Sequence, residues 1–268
     1  MYRKLLVPVK EAYEVEPTIR LASLLVDPDG EIRVLHVIPT TTLPEVTRQW
    51  RNSVSIVVPA HETGAALDLR VEPEVRASPD VPGEILESAE SHGVDGILLT
   101  LGGDRRSRNP FVGHTASALL HHARSDVLIA NRLALTGARI GRLLLPTFGE
   151  QPNPRALRLA ETLALRSPGA RLLVLALCDR THADTPPDAD GTTERGVAFT
   201  TKHVPVAPTL LHRAHRRAEP IVQAAARERY GFVLLSEEPQ LAAGPVITRR
   251  FLEDVFRAAP CPVLALRS

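Results

Sequence analysis

The sequence predicts an α/β protein of two similar units in tandem, each a parallel sheet covered by helices on both faces. Three observations predict it. Short, continuously apolar runs alternate with amphipathic stretches, the pattern of strands buried on both faces and of the helices that bury them. The order of these runs in the first half of the 268 residues recurs in the second. Each half opens on a strand-like run that ends at a proline, Lys4–Val9 around Pro8 and Arg142–Thr147 around Pro146.

The elements follow in the same order in both halves. After the first strand, Ile19, Leu21, Ala22, Leu24 and Leu25 are spaced for one buried helical face, as are Ala156, Leu157, Leu159, Ala160, Leu163 and Leu165. A Gly turn then leads into the strands Ile32–Ile38 and Arg171–Leu177. The middles differ. Thr40–Gly64, with Trp50, has room for an extra helix; Thr181–Gly196 is rich in Asp, Pro, Thr and Gly and reads as a polar, mobile loop in which that helix is shortened or missing. Next come helices over Pro82–His92 and Glu219–Arg229, with Gly93 and Gly231 as candidate caps. The buried strands Gly96–Thr100 and Phe232–Ser236 follow, then a loop, a last helix and the closing strands Val127–Ala130 and Val263–Leu266. Apolar periodicity lapses over Arg132–Ala138, so the domains are expected at 1–134 and 139–268.

Composition narrows the function. A net charge of +1 gives no reason to expect a nucleic-acid partner. No apolar run approaches the roughly 18 residues of a membrane span, and the first residues lack the pattern of a secretory signal, so a cytoplasmic location is expected. Cys178 and Cys261 lie far apart beside apolar runs and read as buried or half-buried thiols. His212 and His215 have helical spacing, but Arg213, Arg216 and Arg217 crowd them and no third ligand is near; a solvated basic helix is expected there, and no metal. The pair His121–His122 carries no ligand pattern either. His36, inside a strand, reads as a structural, hydrogen-bonded histidine. There is no nucleophile elbow, Walker loop or paired-carboxylate arrangement, and no catalytic residue is expected.

Several segments together resemble the universal stress protein family, in two copies that cover nearly the whole chain. They are Leu6-Val7-Pro8-Val9, Val34–Pro39, Gly83–Ala89 followed by Gly93-Val94-Asp95, Leu119–Ala123, and Ala259–Leu264. The resemblance implies two doubly wound, five-stranded parallel sheets related by a pseudo-twofold axis. It also implies a ligand crevice past the carboxyl ends of the strands. In nucleotide-binding members an Asp ends the first strand. A loop after the fourth strand, Gly, two residues, Gly, nine residues, Gly, then Ser or Thr, cradles phosphate on backbone N–H groups.

Against that pattern the halves diverge. In the first, Thr100, Gly103, Gly113 and His114 fall on the loop positions, with Thr115 one residue late and Lys10 in place of the Asp; Arg105, Arg106 and Arg108 favour an anion. In the second, Ser236, Pro239, Arg249 and Arg250 keep the spacing without the chemistry, Glu237 and Glu238 add negative charge, and Phe148 replaces the Asp. The resemblance therefore implies a non-enzymatic sensor or binding scaffold. Its candidate nucleotide site is Val9, Lys10, Val37, Gly103, Gly113, His114 and Thr115, with ATP or AMP as candidate ligands, and the second half is a structural partner. Alternatives are an ATP- or AMP-binding stress protein with slow hydrolysis, and a regulatory module for a membrane transporter or another enzyme. In that family the closing strand pairs with that of another copy. Val127–Ala130 and Val263–Leu266 are thus expected to pair within one chain, with a homodimer as a further candidate.

Overall fold

The computed structural model describes residues 1–101, 113–131, 140–147, 152–167, 169–178, 192–195, 206–213, 218–227, 230–236 and 248–268. The chain divides into two compact units, one built on β1–β5 and one on β6–β11.

In the first unit, β1 (Tyr2–Pro8) leads through a short 3-10 turn (Ala12–Glu14) into α1 (Val15–Ser23) and β2 (Val26–Ile38). Then come α2 (Leu43–Ala66), β3 (Arg70–Ala77), α3 (Val81–His92), β4 (Gly96–Thr100), α4 (His114–His122) and β5 (Asp126–Ala130). The five strands are all parallel, in the order β3-β2-β1-β4-β5. Leu5, Leu6, Val7, Ile97, Leu98, Val127 and Leu128 fill the sheet and are fully buried, as strands covered on both faces require. The extra helix expected between Thr40 and Gly64 is α2. Helix α3 is bounded as its sequence predicts. Asp80 accepts from the Gly83 N–H at 3.1 Å, and Gly93 turns left-handed (φ 59°) while the Val94 N–H donates to the Ala89 carbonyl at 3.1 Å. The handover into β2 differs from expectation. The strand begins at Val26 and runs through Gly30, with a register shift against β1 between Tyr2 and Lys4. A Cβ at Gly30 would stand 2.3 Å from Val26 Cγ1 and 3.0 Å from the Arg3 carbonyl oxygen, so glycine serves close packing there rather than a turn.

In the second unit, β6 (Arg142–Thr147), α5 (Pro154–Leu165) and β7 (Arg171–Cys178) precede β8 (Thr192–Arg195) and β9 (Val206–Arg213). After them come α6 (Glu219–Arg227), β10 (Phe232–Ser236), α7 (Arg249–Ala258) and β11 (Val263–Arg267). Five parallel strands run β11-β10-β6-β7-β9, and β8 adds an antiparallel strand beyond β9. Here Gly169 does make the expected turn, with φ 79°. No helix lies between β7 and β9 among the described residues.

Three sequence expectations change in this unit. Thr192–Arg195, the end of the segment read as a loop, form β8; the rest of Thr181–Gly196 lies outside the described residues. His212 belongs to β9, so the proposed basic helix does not begin there; His215 lies outside the described residues. Gly231 is not the counterpart of Gly93. The Tyr230 N–H already closes on the Ala225 carbonyl at 3.1 Å, the bond that Val94 makes in the first unit, and the Gly231 N–H goes on to the Arg142 carbonyl at 3.0 Å. The seam Arg132–Ala138 also falls outside the described residues.

Candidate functional site

In the first unit the chain passes from β1 to β2 on one side and from β4 to β5 on the other. The order therefore reverses between β1 and β4, where a doubly wound sheet opens at the carboxyl ends of its strands. Val9 and Lys10 follow β1 directly, Val37 is the next-to-last residue of β2, and the chain that leaves β4 returns as α4 from Gly113, His114 and Thr115. The sheet thus brings these six candidate residues to one edge. Gly103, with Arg105, Arg106 and Arg108, lies outside the described residues.

Val9 is fixed by its backbone. Its N–H donates to the Leu35 carbonyl at 2.9 Å, and its carbonyl accepts from His36 Nδ1 at 3.0 Å. A carbonyl only accepts, so the proton sits on Nδ1. His36 is buried and holds the end of β1 to β2, the structural role its place in a strand suggested. Lys10, next in the chain, is exposed. The turn after it carries an acid the sequence reading passed over. Glu14 is buried, and its Oε2 accepts from the Glu11 N–H at 3.3 Å. Burial raises the Glu14 carboxyl above its ordinary range, against hydrogen bonds from the Glu11 and Lys10 backbones and the Lys10 charge, which act the other way. The signal for it was the Glu11-x-x-Glu14 spacing, a reciprocal cap across the turn.

Helix α4 starts at Gly113 in an extended conformation open to any residue (φ −65°, ψ 178°). Having no side chain, Gly113 cannot cap the first amides of the helix. His114 is exposed and Thr115 half-buried beside them. A run of backbone N–H groups at the positive end of a helix dipole, with Lys10 at the same sheet edge, suits an anion.

In the second unit a side chain takes up one of the amides at the equivalent helix start. Helix α7 begins at Arg249, and the Thr248 hydroxyl accepts from the Phe251 N–H at 3.2 Å. Arg249 pairs with Glu253 on its own helix at 3.0 Å. Ser236, at the end of β10, is buried with no hydrogen-bond partner for its hydroxyl. Phe148, Glu237, Glu238 and Pro239 lie outside the described residues.

No three His, Cys, Asp or Glu side chains group as metal ligands among the described residues, and no helix among them is long and apolar enough to cross a membrane. His121 Nδ1 lies 2.7 Å from the Ser117 carbonyl in its own helix. Cys261 is buried, and burial pushes its thiol up to about 11, which keeps it protonated and unreactive at neutral pH.

Known proteins share this architecture. The universal stress protein family matches residues 1–131. A universal stress protein from Archaeoglobus fulgidus DSM 4304 has a similar structure over 98% of this chain and 95% of its own, with a TM-score of 0.67 and 16% identity. A functionally unknown protein from Pseudomonas aeruginosa PAO1 aligns over 99% of this chain and 92% of its own, with a TM-score of 0.61 and 12% identity. The cytoplasmic domain of a prokaryotic cation chloride cotransporter aligns over 99% and 95%, with a TM-score of 0.56 and 12% identity. At these identities the likeness establishes the fold. No curated protein matches the chain.

Proposed function

Because the chain belongs to the universal stress protein family through residues 1–131, we propose that it is a binding protein without catalysis, with its ligand site in the first unit. The ligand class is an adenine nucleotide, ATP or AMP, or another phosphate-bearing anion. The observation that carries this reading is the start of α4. Its amides have no capping side chain at Gly113 and stand at the sheet edge that also presents Lys10, Val9 and Val37. Phosphate takes up such amides; Gly103 and the arginines of the intervening loop are proposed to complete the cradle. Lys10 replaces the family's Asp and suits phosphate better than it suits a ribose hydroxyl that needs a carboxylate acceptor.

The test is to denature fresh protein, identify released small molecules by mass spectrometry, and titrate ATP and AMP calorimetrically. Binding should be lost, by tenfold or more, in Gly113→Val. The backbone at Gly113 is ordinary, so that change adds bulk over the helix start without straining the chain. Absence of both released nucleotide and titratable binding would remove the reading.

A second reading has one specific support. The cotransporter domain with this fold is, by its description, the cytoplasmic part of a transporter. The chain as a regulatory module for a membrane transporter is the corresponding proposal, tested by co-purification with a transporter encoded beside it.

A further inference from the structure

Helix α2 is more apolar than its buried face requires. It packs on α1, β2 and β3 through Ser53, Ile56, Ala60, Thr63 and Gly64. A second row, Leu43, Trp50, Val54 and Val58, is exposed, at 77%, 54%, 49% and 46% respectively. At 3.6 residues per turn these four fall within an arc of about 80°, so they form one stripe down the outer face. Thr47, His61 and Ala65 complete the row at the same helical spacing, and the half-buried Val46 and Val57 join it to the packed face. From the usual areas of such side chains, the stripe exposes roughly 400 Å² of apolar surface, the range in which a patch on a monomer marks an interaction site.

We propose that this stripe is the contact between two copies of the chain, with α2 packed antiparallel against α2 of the second copy about a twofold axis near Val54. The proposal does not depend on the nucleotide reading. Self-complementarity favours this occupant. With the axis at Val54, Trp50 falls opposite Val58 of the second copy and Leu43 opposite Ala65, large against small at each step. The polar interruptions, Thr47 and His61, fall opposite each other. Charge agrees with the antiparallel sense. Arg51 and Glu62 lie on one flank of the stripe, and reversal brings them to the same side of the axis, about five residues or 7.5 Å apart along the helix, within reach of two long side chains. In a parallel pair the twofold axis would put the Arg51–Glu62 flanks of the two copies on opposite sides of the seam, so Arg51 would not meet Glu62. Area agrees as well. Two stripes remove roughly 800 Å² of apolar surface, and the flanking side chains bring the total to about the 1,200 Å² at which specific interfaces begin.

The chain supplies its own probe, because Trp50 is its one tryptophan. Sedimentation across a hundredfold range of concentration should show a monomer–dimer equilibrium, with Trp50 emission moving to the blue as dimer forms. Val54→Glu should weaken association at least tenfold with an unchanged far-UV spectrum. Asn52→Glu, exposed on the other side of α2, should leave it unchanged. Under mild oxidation Val54→Cys should cross-link two copies. Leu43→Cys should not, since eleven residues on either side of the axis separate the two by about 33 Å. Should Val54→Glu fail to fold, Trp50→Ala and the two cysteine variants decide the matter. A monomer at about 100 μM, a dimer indifferent to Val54→Glu, or efficient cross-linking through Leu43→Cys overturns the proposal. So does a monomer whose Trp50 emission shifts only with phosphatidylcholine vesicles, which would assign the stripe to a lipid surface.

Discussion

The two units share a register and differ in what they place on it. Leu5 of β1 pairs with Gly96 of β4, and Leu143 of β6 pairs with Phe232 of β10. At the first of these stations the neighbours are polar and large: Tyr2 is buried, its hydroxyl donates to Asp126 Oδ2 at 2.7 Å, and its ring lies over Gly96, where a Cβ would come within 2.9 Å of Tyr2 Cε1. The second unit carries Ile140, Phe232 and Pro262 at the corresponding positions, with Ile140 and Phe232 buried. Where the first unit has Tyr and Gly the second has Ile and Phe, and neither the hydroxyl nor the acid is present there. Exchanging both partners of a buried polar pair for apolar groups is tolerated, whereas losing one is costly. The helix starts differ in another way. Gly113 leaves the amides of α4 uncapped by a side chain, and Thr248 caps those of α7. The interiors thus differ with compensation on the same fold, while the helix starts differ in whether the N-cap side chain bonds a helix amide.

The sharpest way to break this comparison is through the scaffold that both units keep. Leu6 and Leu144 are fully buried at equivalent points of β1 and β6. Leu6→Ala and Leu144→Ala should each destabilise by about 2–5 kcal/mol, the cost of lost burial plus a cavity. Denaturant unfolding should show losses of similar size. A loss in one much smaller than in the other would mean that the two sheets are not packed alike.

A smaller effect separates the units. Tyr2→Phe removes one donor to Asp126 while the carboxylate stays buried, and should cost about 1–3 kcal/mol. Ile140→Val, at the equivalent apolar station, should cost roughly 0.5–1.5 kcal/mol through packing alone. If Tyr2→Phe proved as mild as a lost methylene, the hydrogen bond would not be what holds the first unit to its polar arrangement.

How far the sequence foretells all this depends on the kind of interaction. The strands were legible because burial on both faces forces continuous apolar runs such as Leu5-Leu6-Val7 and Leu143-Leu144-Leu145, and Gly93 was legible as a cap because its left-handed turn demands glycine. The early start of β2 through Gly30 was not, since the same residue signals a turn or a close approach, and only the distance to the Arg3 carbonyl decides between them. Strand β9 hid His212 because histidines three apart have the spacing of one helical face, and His212 by itself gives no signal of a strand. Loop spacing picks out Gly113, His114 and Thr115 as candidates, but not what holds Val9 beside them in the fold. The hydrogen bond from His36 to Val9 joins positions 27 residues apart. The cap at Thr248 shifts the helix start by one residue against an alignment on equal loop lengths, which pairs Gly113 with Arg249.

That one-residue shift also yields the finest test of the comparison. If the difference between the halves lies in who occupies the first amides, exchanging the capping chemistry should move stability and anion affinity in opposite directions. Thr248→Ala removes the hydroxyl from the Phe251 N–H and should cost about 1 kcal/mol. Gly113→Ser supplies a hydroxyl at the start of α4 and should stabilise by only a few tenths of a kcal/mol, because glycine is itself a tolerated cap. The same serine should weaken phosphate or ATP binding several-fold, because its side chain then competes for the amides the anion needs. Calorimetry on Gly113→Ser beside chemical denaturation of both variants reads the two quantities together. A serine variant that gains stability and keeps its full affinity would show that the anion is held elsewhere, and the contrast between the two helix starts would then concern folding alone.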